Sequence, residues 1–348
     1  MKRRYSLDFW KLVFAYVIAF FHFGHTIAPG PTVTVQIFFF ISGFFLAKKF
    51  YSRCQSGGSY GPWQYTLDHV KGLYPHYVFA YAVFFLYNAA RAAGVFLGSR
   101  DFQPIRETLL SLYDQVPNMF FMQSAYYFHD NMNYPLWQLS ALIIGGYFVY
   151  GMLCHNEKLS RELLFPAGIL MTLSLLHSGV ALDGNYGPIY IPLLRAFSGL
   201  SFGVLVYFFT TTKYYEALRE KKTLWNLASV LSVLCIFLYA DHGNIHYVTG
   251  ALLILGCYEE ESWMNKLLNR PVFRHCGKLS LSIYLNHALV CRFTNGWLFP
   301  HLELWGIPVG RGEKDVIFFV LLTVASIAAL WVVDRLLACR VQKPAKSV

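Results

Sequence analysis

Charge is scarce in this chain: Asp, Glu, Lys and Arg make up 14% of its 348 residues, and the acidic ones are the rarer, 19 against 29 basic. With 56% hydrophobic residues and a mean hydropathy of +0.40, that scarcity excludes an ordinary water-soluble fold. Cysteine is sparse as well. The seven cysteines form no Cys-x-x-Cys pair, which excludes a disulfide framework. Cys54, Cys154, Cys276 and Cys339 fall in segments expected on the reducing side, and Cys235, Cys257 and Cys291 fall within apolar runs. Metal-ligand spacing is missing too. His242 and His246 are close in sequence, but Gly243 and Asn244 between them oppose a helix, so no metal site is expected. No stretch is polar enough for a soluble domain, no internal repeat stands out, and no small-residue cleavage motif follows the first apolar run, so no cleavable signal peptide is expected.

What the chain does have is a succession of long apolar runs. They fall at 9–28, 33–50, 73–91, 135–154, 163–179, 189–211, 224–241, 244–258, 279–299 and 315–338. Most are long enough to cross a ~30 Å hydrocarbon core as helices. The expected fold is therefore all-α, a polytopic membrane bundle of about ten transmembrane helices. It forms one domain over residues 1–340, followed by a short polar tail over 341–348. A further apolar piece, 108–123, is broken by Asp114, Gln115 and Pro117 and reads as interfacial or re-entrant. Basic residues test this arrangement. With the N-terminus in the cytoplasm, only Arg91, Arg100, Arg106, Arg311 and Lys314 fall on outer segments, and Lys11, Arg195 and Arg292 fall within spans. Every other Lys and Arg then lies inside, as the positive-inside rule requires. Both termini are expected in the cytoplasm, in a plasma membrane, with the bacterial inner membrane as the reading. The net charge of +10 is a topology signal and not a sign of nucleic acid. The inner cations could also meet anionic lipid or a phosphorylated ligand.

One face of the first run is polar. Asp8, Lys11, His22 and His25 share it, with Ala15 and Ile18 filling the gap. A helix turns ~100° per residue, so Lys11 and His22, eleven positions apart, differ by about 20° in direction and ~16 Å along the axis. Ionisable groups in a bilayer are costly, so such a stripe should face a protein interior or a wet cavity. A histidine titrates near neutrality and can act as a base toward a hydroxyl or carry an acyl group covalently. His22 ranks ahead of His25, because Gly24 and the outer edge leave His25 the more solvated. Asp8 either holds Lys11 as an i,i+3 pair or serves as a helix-start carboxylate.

The order of motifs resembles acyltransferase family 3 of integral membrane acyltransferases. Asp8 and Lys11 open the first run, followed by His22. Then come FFISGFFL from Phe39 to Leu46, LYPHY from Leu73 to Tyr77, PLWQLS from Pro135 to Ser140 and GKLSLSIYLNH from Gly277 to His287. The resemblance covers most of the chain and implies transfer of an acyl group, commonly acetyl from acetyl-CoA, to a hydroxyl of an extracytoplasmic glycan or other envelope acceptor. It implies acyl-CoA as donor substrate, no permanently bound cofactor, and His22 as the catalytic residue with Lys11 in place of the family's usual Arg. The family's Arg-x-x-Arg before its YP motif is absent, since His69 and Gly72 stand there. Lys48, Lys49, Arg53 or Lys71 would then meet the CoA phosphates, as point charges without the bidentate fork of Arg.

Other polar residues in apolar runs are candidates of lower rank. Ser42 and Gly43 suit either close helix packing or close approach of a ligand. Arg195, after Pro192, calls for an anionic partner or ligand. His287, with Asn286, would line the site or orient its neighbours, and Trp137 and Gln138 would shape an acceptor pocket. The competing reading is a transporter or flippase for a sugar or anionic substrate. Transporters commonly show matching broken helices in two halves, and none stands out here.

Overall fold

The computed structural model describes all residues except 1–4, 26–29, 55–59, 125–131, 180–183, 187–188, 239–243 and 342–348. His242, the N-terminal basic residues up to Arg4 and nearly all of the expected tail lie outside the described residues. The side chains of residues 186, 189, 340 and 341 are also left undescribed.

Each expected apolar run holds a helix. We label these, with one more between the third and fourth runs, α1 (Tyr5–Phe23), α2 (Gly30–Cys54), α3 (Pro62–Ser99), α4 (Gln103–Met119), α5 (Trp137–His155), α6 (Phe165–His177), α7 (Ile191–Phe209), α8 (Lys222–Leu238), α9 (Ile245–Tyr258), α10 (Cys276–Phe293) and α11 (Arg311–Val341). Among the described residues the β structure is one two-residue antiparallel pair, Asn185–Tyr186 with Ile189–Tyr190. The protein is thus an all-helical, multi-pass membrane protein. The count is coarser than the expected ten. Seven helices are long and apolar enough to cross a membrane, or eight if Lys213–Arg219 and α8, bent by 95°, count as one span. Two runs fall short for separate reasons. The 14 residues of α9 reach only about 21 Å, and α10 carries Lys278, Ser280, Ser282, Asn286 and His287 on one helix. The interrupted piece at 108–123 is mostly α4, a helix with exposed Leu109, Leu112, Tyr113 and Val116, which lies back on α3.

Packing fixes helix direction. Helices α1 and α10 run parallel: Ser280 Oγ donates to the Lys11 carbonyl at 2.9 Å, and Asn295 Nδ2, just past α10, donates to the Phe23 carbonyl at 3.5 Å. Helices α2 and α7 also run parallel, at very close range, because glycines face backbone. A Cβ on Gly43 would stand 2.0 Å from the Leu200 carbonyl oxygen, and one on Gly203 2.0 Å from that of Phe40. Helix α11 runs against both α1 and α10, through Tyr16 to Thr323 at 2.7 Å and Lys278 to Asp334 at 2.9 Å. On the outside of the bundle, α8 and α11 expose Leu227, Leu231, Leu234, Val320, Val324 and Ile327, a surface suited to lipid.

The first helix stops sooner than its apolar run. Gly24 takes φ +102°, its N–H donates to the Phe21 carbonyl at 3.0 Å, and the His25 N–H donates to that of Phe20 at 2.9 Å. This is a Schellman end, which needs a left-handed residue that glycine supplies without strain.

Candidate active site

Two cavities lie one above the other along α1, each holding one end of its polar stripe. The first, of about 300 Å³, is lined by Lys11, Ser42, His69, Gly72 and Ser280, among apolar neighbours. The second, of about 290 Å³, is lined by His22, Thr32, Trp137 and Arg195, with Ile18, Phe21 and Pro135. Gln138 and Tyr284 line both and form the wall between them. The Tyr284 hydroxyl donates to the Pro135 carbonyl, which fixes that ring across the junction. The buried Gln138 Oε1 has no hydrogen-bond partner among the described residues. Such an acceptor is costly unless a ligand or water satisfies it.

His22 sits at the last turn of α1, half-buried. Its ring stacks on His287, centroids 5.2 Å apart and planes 23° apart, and meets the edge of Tyr134 at 4.9 Å. His287 is fully buried, and its Nδ1 lies 2.7 Å from the Tyr284 carbonyl. A carbonyl only accepts, so Nδ1 carries the proton and Nε2 is left with a lone pair. That Nε2 has no partner among the described residues. Asn286 Nδ2 donates to the Ser282 carbonyl at 2.8 Å.

Arg195 is buried at 4% exposure near the start of α7. Its Nε donates to Gln36 Oε1 at 3.0 Å, and its Nη2 donates to the Thr32 carbonyl. These two contacts aim a guanidinium into the cavity that holds His22. At the other end, the Lys11 ammonium lies 5.2 Å from the Phe45 ring centroid.

The structure separates some residues that the sequence grouped. His25 leaves the stripe, because α1 ends at Phe23 and the chain turns at Gly24. Its Nδ1 meets Asp315 Oδ1 at 2.6 Å, and its Nε2 accepts from Arg311 Nε, so both ring nitrogens are engaged with α11. Asp8 is half-buried and lines neither cavity. Lys48, Lys49, Arg53 and Lys71 do not line the Lys11 cavity either. Lys49 pairs with Asp68 at 3.3 Å and lies over Tyr60, Arg53 also lies over Tyr60, and Lys48 lies over Tyr258. The two positions where arginines were missed, His69 and Gly72, do line that cavity. Ser42 faces it as well, while Gly43 serves helix packing, so the two readings of that motif divide between neighbouring residues. Tyr284 was not singled out from sequence. Its signal was its place inside GKLSLSIYLNH, one turn before His287.

A comparison with known families matches residues 4–335 to the family model described as an acyltransferase domain. The chain belongs to acyltransferase family 3. It is 21% identical over 323 residues to the peptidoglycan O-acetyltransferase of Listeria monocytogenes, covering 86% of this chain and 50% of that protein. It is likewise 21% identical over 321 residues to a putative O-acetyltransferase of Staphylococcus aureus strain COL, covering 85% of this chain and 52% of that protein. The chain thus spans about half the length of the curated relatives it matches. No solved structure is significantly similar to it.

Proposed function

We propose that this chain is a plasma-membrane O-acetyltransferase that takes an acetyl group from cytoplasmic acetyl-CoA and delivers it to a hydroxyl of an extracytoplasmic glycan or other cell-envelope acceptor. The observation that carries the reading is the pair of cavities stacked along α1, Lys11 in one and His22 in the other, with Gln138 and Tyr284 as their common wall. Both termini are assigned to the cytoplasm, with about ten passes, from the distribution of basic residues. The Lys11 cavity then opens toward the side where CoA is found, and the His22 cavity toward the acceptor.

In this reading the pantetheine arm enters past Ser42 and Lys11 and brings its thioester to the junction. The ~16 Å between Lys11 and His22 is comparable to the reach of that arm. His22 takes the proton of the acceptor hydroxyl. The oxygen then attacks the thioester carbonyl, the carbon–sulfur bond breaks, and the CoA thiolate leaves and is protonated. Arg195 stabilises the oxyanion that forms on the carbonyl oxygen, as a preorganised cation in a low-dielectric site does. Membership of the acyltransferase family favours this over transport.

The test is donor turnover. Protein purified in detergent hydrolyses acetyl-CoA slowly, and cells carrying the gene hold base-labile acetate on their surface glycan. If neither signal depends on His22, the reading is wrong. Two further outcomes follow. Lys11→Arg retains or raises activity, whereas Lys11→Ala raises the KM for acetyl-CoA about tenfold, since a charge-assisted contact is worth roughly 1.5–3 kcal/mol. An unchanged KM in Lys11→Ala makes the lysine a membrane-edge charge only. Lys71, exposed one residue from Gly72, acts at the mouth of the donor cavity. Its removal raises KM a few-fold at low salt and has less effect at high salt, where screening shortens. A salt-independent effect, or none, excludes it from donor binding.

A further inference from the structure

A third cavity, larger than the other two at about 660 Å³, opens between the C-terminal half of α3, the helix α4 and the end of α10. Its walls are charged where those of the other two are mostly apolar. Asn88 and Arg91 come from α3, Glu107 and Asp114 from α4, and Arg292 from α10. With 38 residues, α3 is about 57 Å long, nearly twice the hydrocarbon core of a bilayer. A helix that long cannot lie wholly within the hydrocarbon core, and Asn88 and Arg91 stand toward its C-terminal end.

A short segment of chain links the cavity to the His22 site. Met132 lines it, and three residues later Pro135 lines the His22 cavity. The short connection is pinned, because Gln115 Oε1 accepts from the Met132 N–H at 3.2 Å, and Asn133 Nδ2 donates to the Leu285 carbonyl at 3.0 Å. Arg292 stands five residues beyond His287 on α10, about 7.5 Å along the axis and about 140° around it, so it faces the third cavity while His287 faces His22. Among the described residues, Arg91, Arg292 and Asp114 form no ion pair, although they face one space. Arg292 lies 5.8 Å from the Phe84 ring centroid.

Two guanidinium groups and two carboxylates in one cavity leave no net charge, which suits neither a polyanion nor a metal cation. They offer donors and acceptors side by side. A sugar hydroxyl donates and accepts at once, so a ring carrying several of them satisfies such walls. The volume lies within the range of ordinary ligand sites, ~300–1,000 Å³.

We propose that this cavity is a saccharide subsite. It holds the sugar unit next to the one whose hydroxyl reaches His22, so the acceptor is an oligosaccharide or polymer and not a free monosaccharide. The assignment rests on the O-acetyltransferase reading above. It makes Arg91, Asp114 and Arg292 acceptor-positioning residues outside the chemical centre.

The experiment compares two quantities for wild type, Arg91→Gln, Asp114→Asn and Arg292→Gln. One is base-labile acetate on the surface glycan of cells, and the other is acetate released into water from acetyl-CoA by the purified protein. Each variant is expected to lower the ratio of transfer to hydrolysis about tenfold, the effect of losing a hydrogen bond to a charged group. A general folding defect lowers both quantities together and leaves the ratio alone. Three variants with a wild-type ratio overturn the subsite while leaving the acetyltransferase intact. Acetylation of a monosaccharide as fast as of its oligomer also overturns it. If wild-type cells show no His22-dependent acetate, the acetyltransferase reading itself fails, and the subsite falls with it.

Discussion

His22→Ala is expected to abolish acetyl transfer while the protein still folds and inserts. General-base catalysis contributes about a hundredfold to ten-thousandfold, and the cavity has no substitute. Its other lining residues among those described are apolar, amide, hydroxyl, phenol, indole or guanidinium. His25 cannot move in, because Asp315 and Arg311 engage both of its ring nitrogens. His287 is fully buried and lines neither cavity, so its free Nε2 does not reach the acceptor. Folding survives because His22 is only half-buried, at the last turn of α1, and its helix is held by Ser280 and Asn295 from α10. The measurement is base-labile acetate on cells, with protein level as control. Wild-type acetate in His22→Ala at normal protein level would transfer the base role elsewhere. His25→Ala, by contrast, keeps transfer and only loosens the end of α1 from α11.

Gly43→Val is expected to leave almost no folded protein. The first added atom meets Leu200 backbone at 2.0, 2.7 and 2.8 Å, below any real contact distance, and backbone in the middle of a helix cannot swing aside. Relief requires α2 and α7 to separate along the interface where Gly203 and Gly199 also meet α2. Overpacking of an ordinary core costs about 1–3 kcal/mol, and a rigid backbone wall takes the cost beyond that. Against a typical stability of roughly 5–15 kcal/mol, such a loss is a large fraction. Gly94→Ala is the control. It lies on the exposed part of α3, a Cβ there meets nothing within 4 Å, and helix propensity improves. Fluorescence-detected size exclusion of detergent extracts reads both. A monodisperse peak of normal height from Gly43→Val would show that the two helices do not meet as described. Ser42→Ala, one residue away, is expected to keep the fold and alter only the Lys11 cavity it lines.

The sequence by itself determined the membrane class, the helical composition and the shared face of Lys11 and His22. Apolar runs of bilayer length leave a helix as the only structure that satisfies its own backbone. The eleven-residue interval between Lys11 and His22 sets them on one face whatever surrounds them, since helix period is a local property. The motif order carried the family. Tertiary structure decided the rest. Whether α9 and α10 are full spans depends on their lengths and polar content as folded, and the sequence count of about ten does not resolve them. His25 belonged to the stripe only while the helix continued, and a glycine cap ended it one turn early. The basic residues at 48, 49, 53 and 71 share a sequence neighbourhood with the Lys11 cavity, yet Asp68, Tyr60 and Tyr258 draw three of them aside. The wall of Gln138 and Tyr284, the guanidinium of Arg195 braced by Gln36, and the polar cavity that α3 and α4 form with Arg292 of α10 all join residues from helices far apart in the chain. Helical periodicity tells which face a residue occupies. It carries no information about which other helix that face meets, and only packing of the whole bundle settles that.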